Sequence, residues 1–127
     1  MAREMTMPGN AGWVGYQGPD VAGAVKFYSD ALDLPVVDLP MKDGSTHPGI
    51  MVGGEPIGGF SPAMTEAGAW MIYFTVTDVD ACVKRVVAAG GAVLSEPTDM
   101  PGIGRSAKIR DPQGGEVCVI TYESMMI

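Results

Sequence analysis

Residues 70–91 read WMIYFTVTDVDACVKRVVAAGG, and this stretch decides the fold. Apart from Met71, its first seven residues are β-branched or aromatic, which is typical of a strand. An aspartate follows at position 78 or 80, where a short carboxylate caps the first turn of a helix. Apolar residues then recur at helical spacing until the glycines at 90 and 91 end the helix. The stretch therefore predicts one strand followed by one capped helix.

The same pattern occurs 58 residues earlier in the chain. Residues 20–26 (DVAGAVK) align with residues 78–84 (DVDACVK), and their Asp, Val, Val and Lys are identical. The preceding segments, 13–19 and 71–77, also correspond to each other. A repeated strand and capped helix predict an internal duplication.

Short strands between glycine- and proline-rich turns complete each half. In the second half we expect a loop over 96–104, a turn at 111–114, and strands at 92–94, 105–110 and 117–122. In the first half we expect a helix at 21–32 and strands at 13–17, 36–39, 50–52 and 56–60. The sequence thus predicts one domain, 1–127, in which linker 61–68 joins module 12–60 to module 69–123.

The composition excludes several classes of partner. Lys and Arg total 8 against 15 Asp and Glu, which gives a net charge of −7. Nucleic acid and anionic membranes repel such a chain, so we expect neither as a partner. The first residues lack the apolar run of a signal peptide, and Cys82 and Cys118 lack CxxC spacing. We therefore expect a cytoplasmic protein.

Several motifs resemble those of the vicinal oxygen chelate superfamily, which includes glyoxalases, bleomycin-resistance proteins and extradiol dioxygenases. Phe27-Tyr28 resembles the signature D…FY…LG, with Asp33-Leu34 where a Leu-Gly pair is usual. Residues 74–80 resemble its F-x-V-x-D-V-D segment, and residues 111–114 resemble its DPxG turn. Residues 101–105 (PGIGR) resemble a loop found in one branch of the superfamily, whose members are described as predicted enzymes related to lactoylglutathione lyase.

This resemblance implies an α+β fold in which two βαβββ modules form curved mixed sheets around a cavity, with helices on the outer face. It also implies a homodimer. Strand alternation then decides which side chains line the cavity. The residues expected toward the helices are Val14, Tyr16, Ile72, Phe74, Val76, Val117 and Val119. Those expected to line the cavity are Trp13, Gly15, Gln17, Met71, Tyr73, Thr75, Cys118, Ile120 and Tyr122.

Catalytic members of the family hold a divalent cation with His, Gln or Glu on strands one, four, five and eight. The corresponding positions here carry Trp13, Gly58-Gly59, Met71 and Cys118. Tryptophan and glycine side chains offer no ligand, and methionine is too soft for hard cations. We therefore expect neither a metal ion nor another cofactor.

The residues leave three functions open. The first is a binding protein whose aromatic-lined cavity holds an apolar or aromatic small molecule. Its expected contacts are Trp13, Gln17, Met71, Tyr73, Thr75, Arg105, Cys118 and Tyr122. The second is a lyase, isomerase or dioxygenase, either metal-dependent or using Arg105, Tyr73 or His47. The third is an interaction domain whose own side chains fill the cavity.

Three of these residues also have simpler interpretations. His47 lies in a polar segment that we expect to be a solvated loop, although a general base is the alternative. Cys118 is expected to be a small buried apolar group rather than a nucleophile. Arg105 is placed after a glycine-rich turn, where it would pair an anionic ligand or, as with Lys108 and Arg110, form surface salt bridges.

Overall fold

The computed structural model describes residues 6–41 and 43–125, and within them the order strand–helix–three strands occurs twice. This order confirms the predicted α+β fold. The first set is β1 (Ala11–Gly18), α1 (Val21–Leu32), β2 (Val36–Pro40), β3 (Thr46–Val52) and β4 (Glu55–Pro62). The second set is β5 (Ala69–Thr75), α2 (Val79–Ala88), β6 (Ala92–Met100), β7 (Gly104–Arg110) and β8 (Glu116–Tyr122), followed by a short 3-10 helix, Glu123–Met125.

Both helices begin as the repeated aspartate predicts. The Asp20 carboxylate accepts from the Gly23 N–H at 2.9 Å, and the Asp78 carboxylate accepts from the Ala81 N–H at 3.2 Å. Each bond satisfies one of the donors left open in a first helical turn. Asp78, rather than Asp80, is therefore the cap of α2.

Helix α1 ends on a residue in the left-handed region. Asp33, at φ 54°, is the residue that ends the helix, a position where glycine is common, and its N–H donates to the Tyr28 carbonyl. Aspartate tolerates this conformation better than most residues, so the helix still closes without the glycine.

The chain forms two compact units, each with its own sheet strands and core. The N unit comprises Val14–Met71, and the C unit comprises the chain up to Trp13 together with the residues from Ile72 onward. The modules 12–60 and 69–123 and their linker stay a prediction, although β4 extends to Pro62 and takes in the first two linker residues.

The N unit packs α1 against strands in the order β2-β3-β4-β1. β1 runs parallel to β4, and the other two pairings are antiparallel. The buried centre of its core is formed by Ala24, Ile50 and Phe60. The side chains packed around that centre are Val14, Tyr16, Val21, Val25, Tyr28, Leu34 and Val36.

The helical spacing of Val21, Val25, Tyr28 and Leu32 predicts that they form the buried stripe of α1, and one of them is not buried. Leu32 is 58% exposed, whereas Ala24 is buried. Leu32 lies in the last turn, immediately before the left-handed residue that turns the chain away from the helix. Its prediction as core was wrong because the stripe ends one turn earlier.

The C unit repeats this arrangement with α2 and strands in the order β5-β8-β7-β6. β5 runs parallel to β8, and β7 is antiparallel to both its neighbours. Val79, Ala107 and Val119 form the buried centre, with Val76, Cys82, Val83 and Ile109 packed against it. The predicted orientation of Val14, Tyr16, Val76 and Val119 toward the helices is thus confirmed.

Two segments expected to be loops are strands. Residues 46–49 belong to β3, which pairs with β2 through Leu39 and His47, so the prediction of a solvated loop at His47 was wrong. Residues 96–100 of the loop expected over 96–104 belong to β6, which pairs with β7 as far as Met100 and Gly104. In both cases the neighbouring strand supplies hydrogen-bond partners that compensate for a polar, proline-containing local sequence.

Within the described residues, neither helix has the length and apolar content that crossing a membrane requires. The apolar residues at 125–127 suit burial at the expected dimer interface, but this prediction falls largely outside the described residues, which end at 125.

Candidate functional site

The C unit places five of the predicted lining residues away from α2. The inner face of a unit is defined as the side of its sheet opposite its helix. Tyr73 pairs with Cys118, and Thr75 pairs with Ile120, in the parallel contact between β5 and β8. Tyr122 has the same alternation along β8 and is the fifth of these residues. Another predicted lining residue, Trp13, lies on β1, on the side of that strand opposite the core residue Val14. The inner face of the C unit therefore carries aromatic and apolar side chains together with Thr75 and Cys118. Ser106 and Lys108 of β7, which pair with Ile120 and Cys118, add a hydroxyl and a cation to this face.

These side chains are largely shielded from solvent. Relative exposure lies between 1% and 8% for Trp13, Met71, Tyr73, Thr75, Cys118 and Tyr122. Gln17 and Arg105, the other two predicted contacts, are half-buried. Six of the eight predicted contacts are thus as inaccessible as core residues.

Burial raises the pKa of the Cys118 thiol. A hydrogen bond with Tyr73 and the positive charge of Lys108 act in the opposite direction, but burial is the largest effect. A raised pKa leaves less thiolate at neutral pH, and thiolate is the reactive form. This environment fits a small buried apolar group rather than a nucleophile.

We expect the two free thiols to differ in reactivity toward a disulfide reagent such as DTNB. Cys118 is 3% exposed and has a raised pKa, whereas Cys82 is half-buried on α2. In the folded protein at pH 7.5, Cys118 should react at least about tenfold more slowly than Cys82. The variants Cys82→Ser and Cys118→Ser assign each kinetic phase, and a fast phase in Cys82→Ser would contradict the expectation.

Arg105 lies on the side of β7 that faces α2, opposite the side that carries Lys108. It alternates with Lys108, which faces Cys118, and it is followed two residues later by the core residue Ala107. Its Nε and Nη2 donate to the Asp80 carboxylate at 2.8 and 3.0 Å, and its Nη1 donates to Asp99 at 2.9 Å. The two carboxylates raise the Arg105 pKa, and Arg105 lowers the pKa of Asp80. The guanidinium thus joins the first turn of α2 to β6.

The other two cations of this strand also form ion pairs. Lys108 Nζ lies 3.5 Å from one Glu116 oxygen, and Arg110 Nε lies 3.6 Å from the other. The interpretation of Arg105, Lys108 and Arg110 as salt-bridge residues is therefore confirmed, while a ligand contact at Arg105 stays a prediction.

The N unit has an inner face of different character. Gln17 on β1 pairs with Ser61 on β4, and both lie opposite the side that packs on α1. His47 on β3 shares this face, because a Cβ built on Gly59 would lie 2.8 Å from its Nε2 atom. Burial lowers the pKa of His47, which favours the neutral imidazole. The sequence prediction missed this position because proline and glycine at 48 and 49 interrupt the local strand signal.

The donor set does not fit the divalent cation that the family's catalytic members hold. Within residues 6–41 and 43–125, no three His, Cys, Asp or Glu side chains group closely enough to hold a metal ion. At Gly58, moreover, any added side chain would collide with the Val14 carbonyl of β1, so strand four cannot carry a ligand there. Cys118 is the one thiolate donor among the family positions, and a single donor does not define a site.

Two βαβββ halves with parallel inner strands define a glyoxalase-like class of protein. The chain belongs to the Glyoxalase/Bleomycin resistance protein/Dioxygenase superfamily, whose family model matches residues 10–119.

One curated protein is similar to most of the chain. The chain is 36% identical over 118 residues to the anthracycline biosynthesis protein DnrV of Streptomyces peucetius, a match that covers 90% of this chain and 42% of DnrV. The chain thus spans about two fifths of that relative's length.

Two solved structures share the fold. Methylmalonyl-CoA epimerase from Mycobacterium tuberculosis has a TM-score of 0.58 and 17% identity, covering 94% of this chain and 91% of its own. The Mn(II)-bound glyoxalase from Novosphingobium aromaticivorans has a TM-score of 0.57 and 24% identity, covering 86% of this chain and 37% of its own.

Proposed function

We propose that this chain binds an apolar or aromatic small molecule and does so without a metal ion. The observation that carries the proposal is the identity of the inner-face side chains at the family's metal positions. Trp13, Met71 and Cys118 replace oxygen and nitrogen donors with a ring and two sulfur atoms. Such groups suit dispersion and stacking contacts rather than coordination of a hard cation.

The character of the ligand follows from charge and from the relatives. A net charge of −7 disfavours an anionic ligand. The relative DnrV is named for anthracycline biosynthesis, which supports a fused-ring aromatic compound as the first class to test. Tyr73 and Tyr122 supply rings, and Thr75 supplies a hydroxyl, for contact with such a molecule.

Oligomeric state and location are parts of the same proposal. We propose a homodimer, to be measured by light scattering of the purified chain, and a cytoplasmic location without nucleic-acid or membrane partners. The two cysteines are free thiols in the described chain, which supports a reducing compartment.

The burial of the inner face favours a second candidate. Side chains that are at most 8% exposed pack as a core, and a ligand would reach them only if a side chain moved. In that case the chain is an interaction domain whose inner face is filled by its own residues.

Metal analysis and ligand binding distinguish these functions. We expect protein purified and treated with EDTA to bind 1,4-dihydroxyanthraquinone with micromolar affinity, as measured by quenching of tryptophan fluorescence. Tyr73→Leu should weaken binding at least tenfold, Tyr73→Phe by less than threefold, and the control Phe74→Leu, on the other side of β5, should have no effect.

Two results would contradict the proposal. A stoichiometric divalent ion in native protein, required for binding, would overturn the metal-independent site. Absence of binding by 1,4-dihydroxyanthraquinone and by the unsubstituted hydrocarbon anthracene would favour the interaction domain.

A further inference from the structure

Three polar side chains on the inner face of the N unit lie on neighbouring strands. Gln17 and Ser61 are direct partners in the β1–β4 pairing, so their strands are about 4.8 Å apart at this point. Ser61 follows Gly59 by two residues on the same side of β4, a separation of about 7 Å. The His47 imidazole lies over Gly59, next to this pair.

These side chains retain their hydrogen-bonding capacity. Within the described residues, no hydrogen bond or ion pair involves the side chain of His47, Ser61 or Gln17. All three are half-buried, so they are held in place by the sheet but are not sealed from solvent. Half-buried polar groups without protein partners are satisfied by water or by a ligand.

The chemistry of this face selects the kind of ligand. The positions next to these side chains on the same face are Gly15, Leu39, Gly49 and Gly59, and none of them carries a charge. A neutral imidazole, a hydroxyl and an amide together offer both donors and acceptors. Such a set matches hydroxyl and carbonyl groups on an uncharged molecule, and it provides no counter-charge for an ion.

We infer that His47, Ser61 and Gln17 form a hydrogen-bonding site for an uncharged molecule that carries hydroxyl or carbonyl groups. The inference rests on the proposed function in one respect, that the chain binds a small molecule, and it assigns the polar contacts to the N unit. None of the three residues occupies a position at which catalytic members of the family hold their metal ion, so the inference does not depend on whether this chain binds a metal.

The test compares two probes that share three fused rings. The first is 1,4-dihydroxyanthraquinone, which carries two hydroxyls and two carbonyls, and the second is anthracene, which has no oxygen. Each is titrated against the native chain, His47→Leu, Ser61→Ala, Gln17→Leu and the control Thr46→Val. Thr46 precedes His47 on β3 and lies on its other side.

We expect each of the three substitutions to weaken binding of 1,4-dihydroxyanthraquinone about tenfold, because each removes one hydrogen bond from the complex. Anthracene binding should change by less than twofold, and Thr46→Val should change neither probe. If 1,4-dihydroxyanthraquinone binds equally to all variants, the inference is wrong while the proposed function stands. If neither probe binds the native chain, the proposed function itself is wrong.

A second measurement does not depend on variants that fold. In the native chain, addition of 1,4-dihydroxyanthraquinone should shift the side-chain amide resonance of Gln17 and the imidazole resonances of His47 in ¹H–¹⁵N spectra. Shifts confined to residues of the C unit would overturn the assignment of the polar contacts to the N unit.

Discussion

Replacement of Trp13 by alanine is expected to lower the free energy of unfolding by about 3–5 kcal/mol, the range for removal of a large buried aromatic side chain. Trp13 is 6% exposed, so its ring packs as core. Denaturant unfolding followed by circular dichroism measures the change. Phe74→Ala, on a residue that is 41% exposed, is the matched control and should cost about 1–2 kcal/mol.

This substitution also separates the two roles weighed for Trp13. If Trp13→Ala keeps its full stability and loses only affinity for aromatic compounds, the ring is a ligand contact and not part of the core. Trp13→Phe keeps a ring at the position and should retain most of the stability, which makes binding measurable in a folded protein.

Replacement of Phe60 by alanine is expected to destabilise the N unit by a similar amount, about 3–5 kcal/mol. Phe60 is fully buried, and its ring centroid lies 5.5 Å from Tyr16, 6.3 Å from Tyr28 and 5.5 Å from Trp70. The substitution removes these ring contacts and leaves a cavity under α1. Thermal unfolding measures the effect.

The control for Phe60 is the exposed phenylalanine of α1. Phe27 is 59% exposed and contacts Tyr28 at its edge, so Phe27→Ala should cost about 1 kcal/mol or less. If the two substitutions lowered the unfolding free energy equally, Phe60 and the rings around it would not be the main stabilising contacts of the N-unit core.

The elements with strong local signals were predictable from the sequence. The repeated aspartates predicted both helix starts, since an N-cap depends on a carboxylate three residues from an amide. The β-branched and aromatic run at 70–76 predicted β5. Local signals failed at His47 and over 96–100, where strand formation depends on a partner strand distant in sequence.

The candidate site was predictable only in part, for a related reason. Alternation placed Tyr73, Thr75 and Cys118 on one face once the strands were known. The face on which Arg105 lies depends on the residue at which β7 begins, and the glycine-rich turn before it does not determine that residue from the sequence. The polar row of the N unit was missed because His47 was assigned to a loop, and a loop residue has no strand neighbours to share a face with.

The two tryptophans fall in different units, which gives each unit its own optical probe. Trp70 belongs to the N unit, where its indole N–H donates to the Tyr28 hydroxyl at 3.0 Å, and Trp13 belongs to the C unit. Trp70→Phe leaves emission from the C unit alone, and Trp13→Phe leaves emission from the N unit alone. Thermal unfolding of the two variants, followed by tryptophan fluorescence, would therefore show whether the two units unfold together or at different temperatures.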